Sequence, residues 1–460
     1  MKINPRTPEA MELFMQGTMA FSRAELAGIR VDTEYIINQI EVLKQRMQAL
    51  EDEFKETTFF KHWEHSTSKK ININSKYQLS TFLYHVKKLE APKLTDTGNG
   101  STDEEALQQL NIPELNLLIK KSKIKKAVDV LQGFYDEQVD GYIHPSINLN
   151  TVVTFRSSVN SPNMQNIPKR DEEIMQICRR AIIPRPGHQL LEVDFKSIEV
   201  KVNACYNKDT TLLNYVTDPT TDMHRDMAIQ IFKLGDYDEK IHGTLRSATK
   251  NGFVFPEFYG SYYKNCAENL ACKWGELPKS KWKRGTGIEL DTSAFTISDH
   301  LISKGINSLD KFTEHLKVVE KDFWENRFPE YNEWKDRWWK TYLKYGHIDL
   351  LTGFRCSGVM FYKDVICYPA QGSAFHCNLW TLNEMDKIML KEKWNANIVN
   401  QIHDSVIFDT HPDMLEKIIK NITNIASEKL AQHWKWIIAP MSVDMEICGV
   451  DEPWSEKKKY

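Results

Sequence analysis

"NQIHDSVIFDT", residues 400–410, is an apolar, β-branched run broken by His403, Asp404 and Ser405. A strand that buries Ile402, Val406 and Phe408 has no use for a carboxylate in its middle. An unpaired buried charge costs several kcal/mol unless an opposite charge or a cation compensates it. Asp404 therefore implies something positive beside it. A second anomaly of the same kind lies 210 positions earlier in "LLEVDFKSIEV", residues 190–200, where a buried strand ends on Asp194. Two acids on neighbouring strand ends suit one task, holding two Mg²⁺ ions about 3.5–4 Å apart. Mg²⁺ takes few protein carboxylates and leaves its other positions to water and phosphate. The plainer alternative is that each Asp caps or pairs locally.

Working outward, the N-terminal part reads as helical. Residues 8–60 carry apolar spacings of three and four, with a break at Gly28 and a cap at Asp32 or Thr33. "INSKYQLSTFLYHVKKL" predicts a helix started at Asn74 or Ser75. A Gly-rich loop then leads to a helix capped by Ser101 or Thr102, followed by a long lysine-rich helix from "PELNLL" to "YDEQ". After residue 140 the pattern changes. "YIHPSINLNTVVTFRSS" alternates like a strand, and "HQLLEVDFKSIEVKV" is a strand running into a helix. Residues 210–345 are mostly helical. "GHIDLLTGFRCSG" reads as a hairpin, "QGSAFHCNLWTLNEMDKIML" as a helix, and "ANIVNQIHDSVIFDT" as a strand pair before a helix (413–433) and a last strand, "PMSVDMEICG". Helices, sheet, helices, sheet predicts an α+β protein with an antiparallel sheet and inserted helical lobes.

Composition narrows the class. The 460 residues carry a formal net charge of −3, so a nucleic-acid site must be a local patch. No apolar run approaches the roughly 18 residues of a membrane span, and the N-terminus lacks a charged-then-apolar leader. The eight cysteines are scattered without a CxxC, which predicts reduced thiols, no structural zinc and a cytoplasmic location.

Five motifs, in order, carry a family likeness. "DFKSIEVKV" resembles the first palm motif of family A (DNA polymerase I-like) DNA polymerases, and "QIHDSVIFD" resembles their third motif, His-Asp on a hairpin. "RSATKNGFVFPEFYG" resembles the second. "TFRSSVNSPNMQNIPKR" resembles the primer-template element, and "PAQGSA" the Gln-Gly-Ser/Thr helix start. The motif variants resemble those of phage-type members. The likeness implies a right-hand fold with an antiparallel palm sheet and helical thumb and fingers. Its implied parts are an N-terminal palm segment (1–35), thumb (36–138), palm (139–206), fingers (207–345, with an insertion at about 264–312) and palm again (346–460).

The resemblance also implies an activity, addition of dNTPs to a primer 3′-OH with release of pyrophosphate. Asp194 and Asp404 would hold two Mg²⁺ ions, with Mn²⁺ as a substitute and the Phe195 carbonyl as a further ligand. Ser405 stands where many members have another acid. Arg246, Lys250 and His224 match residues that grip the triphosphate, and Glu199 matches the acid that blocks a ribose 2′-OH. The nucleotide-facing aromatic stands one place late. Either a one-residue bulge near Pro256 brings Phe255 and Tyr259 to the active face, or Val254 and Phe258 face the nucleotide. Arg156, Gln371 and His403 match residues at the primer terminus and minor groove, and Asn163, Gln165, Asn166 and Arg170 match backbone-positioning residues. Phe155 replaces the usual Gly before Arg156, and Cys367 stands where Asn is common.

Primer-template DNA and dNTPs are the implied partners of a monomer. Roughly 150 residues precede "TFRSS", too few for thumb, palm and a nuclease of domain size, so proofreading is expected on another chain, as a separate exonuclease, or is absent, or the sequence is an excised piece. A clamp or replisome protein is a further expected partner. Three stretches have plainer readings. The five lysines of "IKKSKIKK" (119–126) form a solvated face or follow duplex phosphates, and the tryptophans of 324–339 are core. The basic, aromatic "CKWGELPKSKWKRGTG" is a surface loop or touches template or protein. Two rivals remain. One is a single-subunit RNA polymerase, whose third motif also reads His-Asp-Ser but against which Glu199 and "SPNMQNIPKR" speak. The other is a catalytically silent primer-template binder.

Overall fold

A computed structural model describes residues 4–95, 97–169, 171–271 and 296–460. Its main sheet has five antiparallel strands: β1 (Gln189–Phe195), β2 (Ala396–Ile402), β3 (Ser405–Thr410), β4 (Val443–Ile447) and β5 (Lys458–Lys459). They lie in the order β5-β4-β1-β3-β2. The central β1 alternates. Leu191 and Val193 point to one face, where Val406, Phe408 and Met445 join them against Phe375, Leu379, Leu382, Ile418 and Ile422. Leu190 points to the other, where Val399, Ile402 and Ile407 pack on Ile174, Cys178 and Ile182. Inside β1 the acid Glu192 is answered by Lys457 at 2.5 Å, whereas Asp194 stands next to the strand's end.

The helices that matter for the site are α1 (Pro8–Ala27), α2 (Thr33–Glu56), α3 (Leu115–Glu137), α4 (Ile198–Asn207), α5 (Met223–Phe232), α6 (Glu239–Thr249), α7 (Pro329–Tyr345) and α8 (Tyr362–Glu392). Asp32 caps α2, its carboxylate accepting from the Tyr35 N–H at 2.9 Å. Helices α2 and α3 pack side by side. Beyond them a separate small core gathers Phe54, Phe59, Phe60, Trp63, Phe82 and Leu115. The largest apolar core lies in the helices after α4 and includes Phe253, Phe258, Phe312, Phe323, Tyr331 and Trp334, so the tryptophan-rich stretch is packing.

The strand pair expected over 396–410 is present: β2 and β3 pair antiparallel from Ile402↔Ser405, and His403 and Asp404 form the tight turn between them. Several local expectations change. The stretch 142–158 is three short strands, Tyr142–Ile143, Ser146–Asn148 and Ser158–Asn160, because residues 149–157 turn away from any ladder. Asp103, not Ser101 or Thr102, caps the helix Glu104–Gln109. Strand β5 has no apolar alternation and was not foreseen. Helix α8 begins nine residues before Gln371 and runs through Pro369. Within 264–312, Cys266, Leu270, Ile297, Leu301 and Phe312 are buried in one core with Phe253, Phe258 and Phe323. The basic aromatic segment 272–287 lies outside the described residues. No helix among the described residues is long and apolar enough to cross a membrane.

Candidate active site

Pairing between β1 and β3 places Asp194 opposite Ser405, one residue from Asp404. The Phe195 N–H donates to the Asp404 main-chain carbonyl at 3.3 Å. The two acids, 210 positions apart in sequence, thus meet at one end of the sheet. His403 supplies the left-handed residue of the turn (φ 55°), and its carbonyl accepts from the side-chain amides of Gln401 and Asn378. Burial, and then the charge of Asp404, pushes Asp194 up to about 6. Burial also raises Asp404, against the opposing pull of Arg156 and Lys169. Asp404 Oδ1 is buried and has no hydrogen-bond partner among the described residues.

That donor set fits a pair of divalent cations. One carboxylate oxygen is orphaned, and the other carboxyl is raised by burial and by its acidic neighbour. Among the described residues no third acid, His or Cys completes a cage of three, which leaves ligand positions for water and phosphate. Lys169 was not singled out in the sequence. Its charge acts on Asp194, Asp404 and His403, so it stands near both acids. The signal was present, a lysine directly after "QNIP".

Beside the acids, Ser197 turns left-handed (φ 50°) where β1 gives way to α4, and this bend presents Glu199. The Glu199 carboxylate pairs with Arg156 and accepts from the Tyr259 hydroxyl. Arg156 follows Phe155, whose φ of 64° explains why a glycine is usual there. A side chain in that conformation costs roughly 1–2 kcal/mol. Here the ring is buried, 5.2 Å from Phe354 and 5.9 Å from His376, which offsets the cost. Gly372 allows the same loop to approach α8. A Cβ there would stand 2.8 Å from the Thr154 carbonyl and 2.6 Å from Leu350 Cδ2. The approach brings the half-buried Gln371 to the loop that carries Arg156.

Across the cleft, the chain from α6 contains one extra residue as a wide π-turn, Lys250–Val254. Val254 and Phe258 are buried behind it. Phe255 and Tyr259 stand on the other side, rings 6.2 Å apart. Lys250 Nζ lies 5.3 Å from the Phe255 ring centroid, and His224 meets that ring edge-on at 5.8 Å. The Arg246 guanidinium is held by Asp222 at 2.6 Å, a partner not named from the sequence. Burial, with the Lys250 and Arg246 charges, pushes His224 down to about 4, so its ring is neutral at pH 7. Its Nδ1 is buried without a partner among the described residues. Asn163 caps a short turn through the Gln165 N–H, and Gln165 Nε2 donates to Ser157 Oγ at 3.1 Å. Asn166 is exposed beside them, and Arg170 lies outside the described residues. Of the five lysines in 119–126, Lys121 is buried against Glu51, Lys123 pairs with Glu104 and Asp171, and Lys125 pairs with Asp129. Those three charges are already answered.

Compared with known proteins, residues 34–279 match the sequence model of DNA polymerase family A. The chain belongs to that family. Among its relatives, DNA polymerase I of Aquifex aeolicus is 26% identical over 445 residues, 95% of this chain and 67% of that protein. The Pseudomonas aeruginosa DNA polymerase I is 24% identical over 95% of this chain and 43% of its own length. The thermostable DNA polymerase I of Thermus thermophilus is 23% identical over 94% and 46%. The chain thus spans about two thirds of the first family A relative and less than half of the other two. A solved structure of the POL domain of Pol1 from M. smegmatis, in complex with DNA primer-template and dNTP, superposes with a TM-score of 0.75 at 20% identity. The superposition covers 96% of this chain and 70% of that one. The sheet and its helical lobes are therefore the right-hand polymerase fold expected from the motifs.

Proposed function

We propose that this chain is a template-directed DNA polymerase that adds dNTPs to a primer 3′-OH and releases pyrophosphate. The observation that carries this reading is the meeting of Asp194 and Asp404 at one end of the sheet, with a buried Asp404 oxygen left without a hydrogen-bond partner among the described residues. Asp194, the Phe195 carbonyl and Asp404 would hold two Mg²⁺ ions, or Mn²⁺ in their place, which would supply acidity toward the 3′-OH and positive charge toward the triphosphate and the leaving pyrophosphate. The chain's own groups do the rest. Lys250 and Arg246 place positive charge on the phosphates, and the neutral His224 ring offers them a hydrogen bond. Phe255 and Tyr259 cover the base and sugar. Glu199, pinned by Arg156 and Tyr259, fills the space a 2′-OH would need. Arg156, Gln371, His403 and Lys169 face the primer terminus, and Asn163, Gln165, Asn166 and Arg170 position the duplex backbone.

In this reading the palm comprises residues 1–35, 139–206 and 346–460, the thumb 36–138 and the fingers 207–345. The separate apolar core of the outer thumb supports that division. The enzyme works as a cytoplasmic monomer on primer-template DNA, with any exonuclease, clamp or replisome protein as a separate partner. Primer extension with Mg²⁺ tests the proposal directly, and parallel reactions with rNTPs separate it from an RNA polymerase. No extension above the background of a protein-free control overturns it. Glu199→Ala is expected to lower the deoxy-over-ribo preference by roughly 10²-fold, because the site then loses a built-in exclusion. Competing dNTP and rNTP incorporation measures this, and an unchanged ratio removes Glu199 from the role.

A further inference from the structure

Helix geometry leaves one residue between Phe255 and Tyr259 pointing away from the cleft with a charge on it. Glu257 is 1% exposed, in a core otherwise built of Phe253, Phe258, Phe323 and Tyr331. Any apolar side chain would be cheaper there. Its Oε2 accepts from the Trp324 indole N–H at 2.9 Å and its Oε1 from the Cys266 thiol at 3.3 Å. The same indole carries Lys335 Nζ on its face, 3.0 Å from the ring centroid, and Lys335 is itself 7% exposed. One tryptophan therefore links a buried carboxyl at its edge to a buried ammonium on its face. Cys266 belongs to the helix Tyr263–Ala271, Trp324 to the turn Phe323–Arg327 and Lys335 to α7. A single side chain of the cleft helix is thus tied to three separate elements of the fingers. At the far end of that helix, Tyr259 reaches the palm through Glu199, and its carbonyl accepts from the Cys367 thiol at 3.3 Å.

We propose that Glu257 is a positioning residue, a latch through Trp324 that holds the cleft helix so that Phe255 and Tyr259 are presented toward the palm. The latch needs an acceptor at the indole N–H more than it needs a charge. Burial pushes Glu257 up to about 8, which agrees with a carboxyl that serves as a hydrogen-bonding group. The neighbouring residues support a fixed face. Pro256 follows the π-turn directly and fixes the backbone of the segment between that turn and Glu257. The functional consequence rests on the polymerase reading above, and the latch itself does not.

Trp324→Phe removes the N–H and keeps a ring under Lys335. Glu257→Gln keeps the acceptor, and Glu257→Leu removes it. Two readouts on the full chain decide. Amide hydrogen exchange over residues 250–260 is expected to quicken roughly tenfold in Trp324→Phe and Glu257→Leu, and to stay near wild type in Glu257→Gln. The KM for the incoming dNTP is expected to rise roughly tenfold in the same two variants with kcat within about twofold, the deoxy-over-ribo preference falling in step. Should Trp324→Phe fail to fold, Glu257→Leu carries the comparison. Unchanged exchange overturns the latch, and quickened exchange with unchanged KM and preference overturns its positioning role. Should the wild type extend no primer, the polymerase reading falls, and exchange alone then judges the latch.

Discussion

Asp404→Asn is expected to slow single-turnover primer extension by at least about a thousandfold, because in the proposed mechanism its charge would hold one of two cations at the reacting phosphate. The substitution keeps the side-chain shape and the β2–β3 turn. The affinity for primer-template, followed by fluorescence anisotropy, should therefore stay within roughly threefold. Extension within tenfold of wild type would show that Asp404 is not at the chemistry. The same variant has a stability signature. Asp194 is raised from 3.8 to about 6, by burial first and by Asp404 second. The native state then holds a proton between those values that the unfolded chain releases, so stability from this group is fully present at low pH and falls as pH rises from about 4 to 6. Removing the Asp404 charge relieves part of that loss. Without divalent cations Asp404→Asn should melt slightly higher than wild type at pH 7, by on the order of 1 °C, and at about the same temperature at pH 4, the gain kept small by solvent access to Asp194. Adding Mg²⁺ should raise the wild-type Tm more than the variant's. A lower Tm for the variant at pH 7 would mean that Asp404 is a stabilising partner.

What could be read from the chain follows from how local the determinants are. The alternation of Leu191 and Val193 on one face and Leu190 on the other is written in seven residues. The acids at 194 and 404 break that pattern, so both strands and the anomaly between them are legible. Caps such as Asp32 and Ser75 need only their own turn. The turn at Phe155 was opaque for the opposite reason. The left-handed residue that would have announced it as glycine is a phenylalanine, stabilised by Phe354 and His376 from a distant part of the chain. Asp222 owes its place to tertiary packing and carries no local mark, whereas Lys169 was marked by its position directly after "QNIP". Glu257 misleads any reading by polarity, since its partners arrive from three other elements. Proline 256 pointed to an irregularity, but the extra residue is taken up in the turn before it, where the widened ring absorbs it without breaking the helix.

Lys250→Met is expected to lower kcat/KM for dNTP by roughly 10²–10³-fold, the range for loss of one charge aimed at a developing anion. The two cations that the proposal assigns to the triphosphate, Arg246 and Lys250, are not equivalent. Arg246 already has its charge answered by Asp222 at 2.6 Å. A triphosphate must share it or displace the acid, which limits what Arg246 contributes on binding. Among the described residues no carboxylate lies within 4.0 Å of Lys250, whose ammonium rests near the Phe255 ring. A cation on an aromatic face is only lightly held, so little is lost when it moves to phosphate. Arg246→Met should therefore cost less than Lys250→Met, and Asp222→Asn should tighten nucleotide binding by freeing the guanidinium. Steady-state kinetics of single-nucleotide insertion for the three variants orders these effects. An Arg246 loss larger than the Lys250 loss would reverse the assignment, and would mean that the Asp222 pair opens when nucleotide enters and that Arg246 carries the greater share of the phosphate charge.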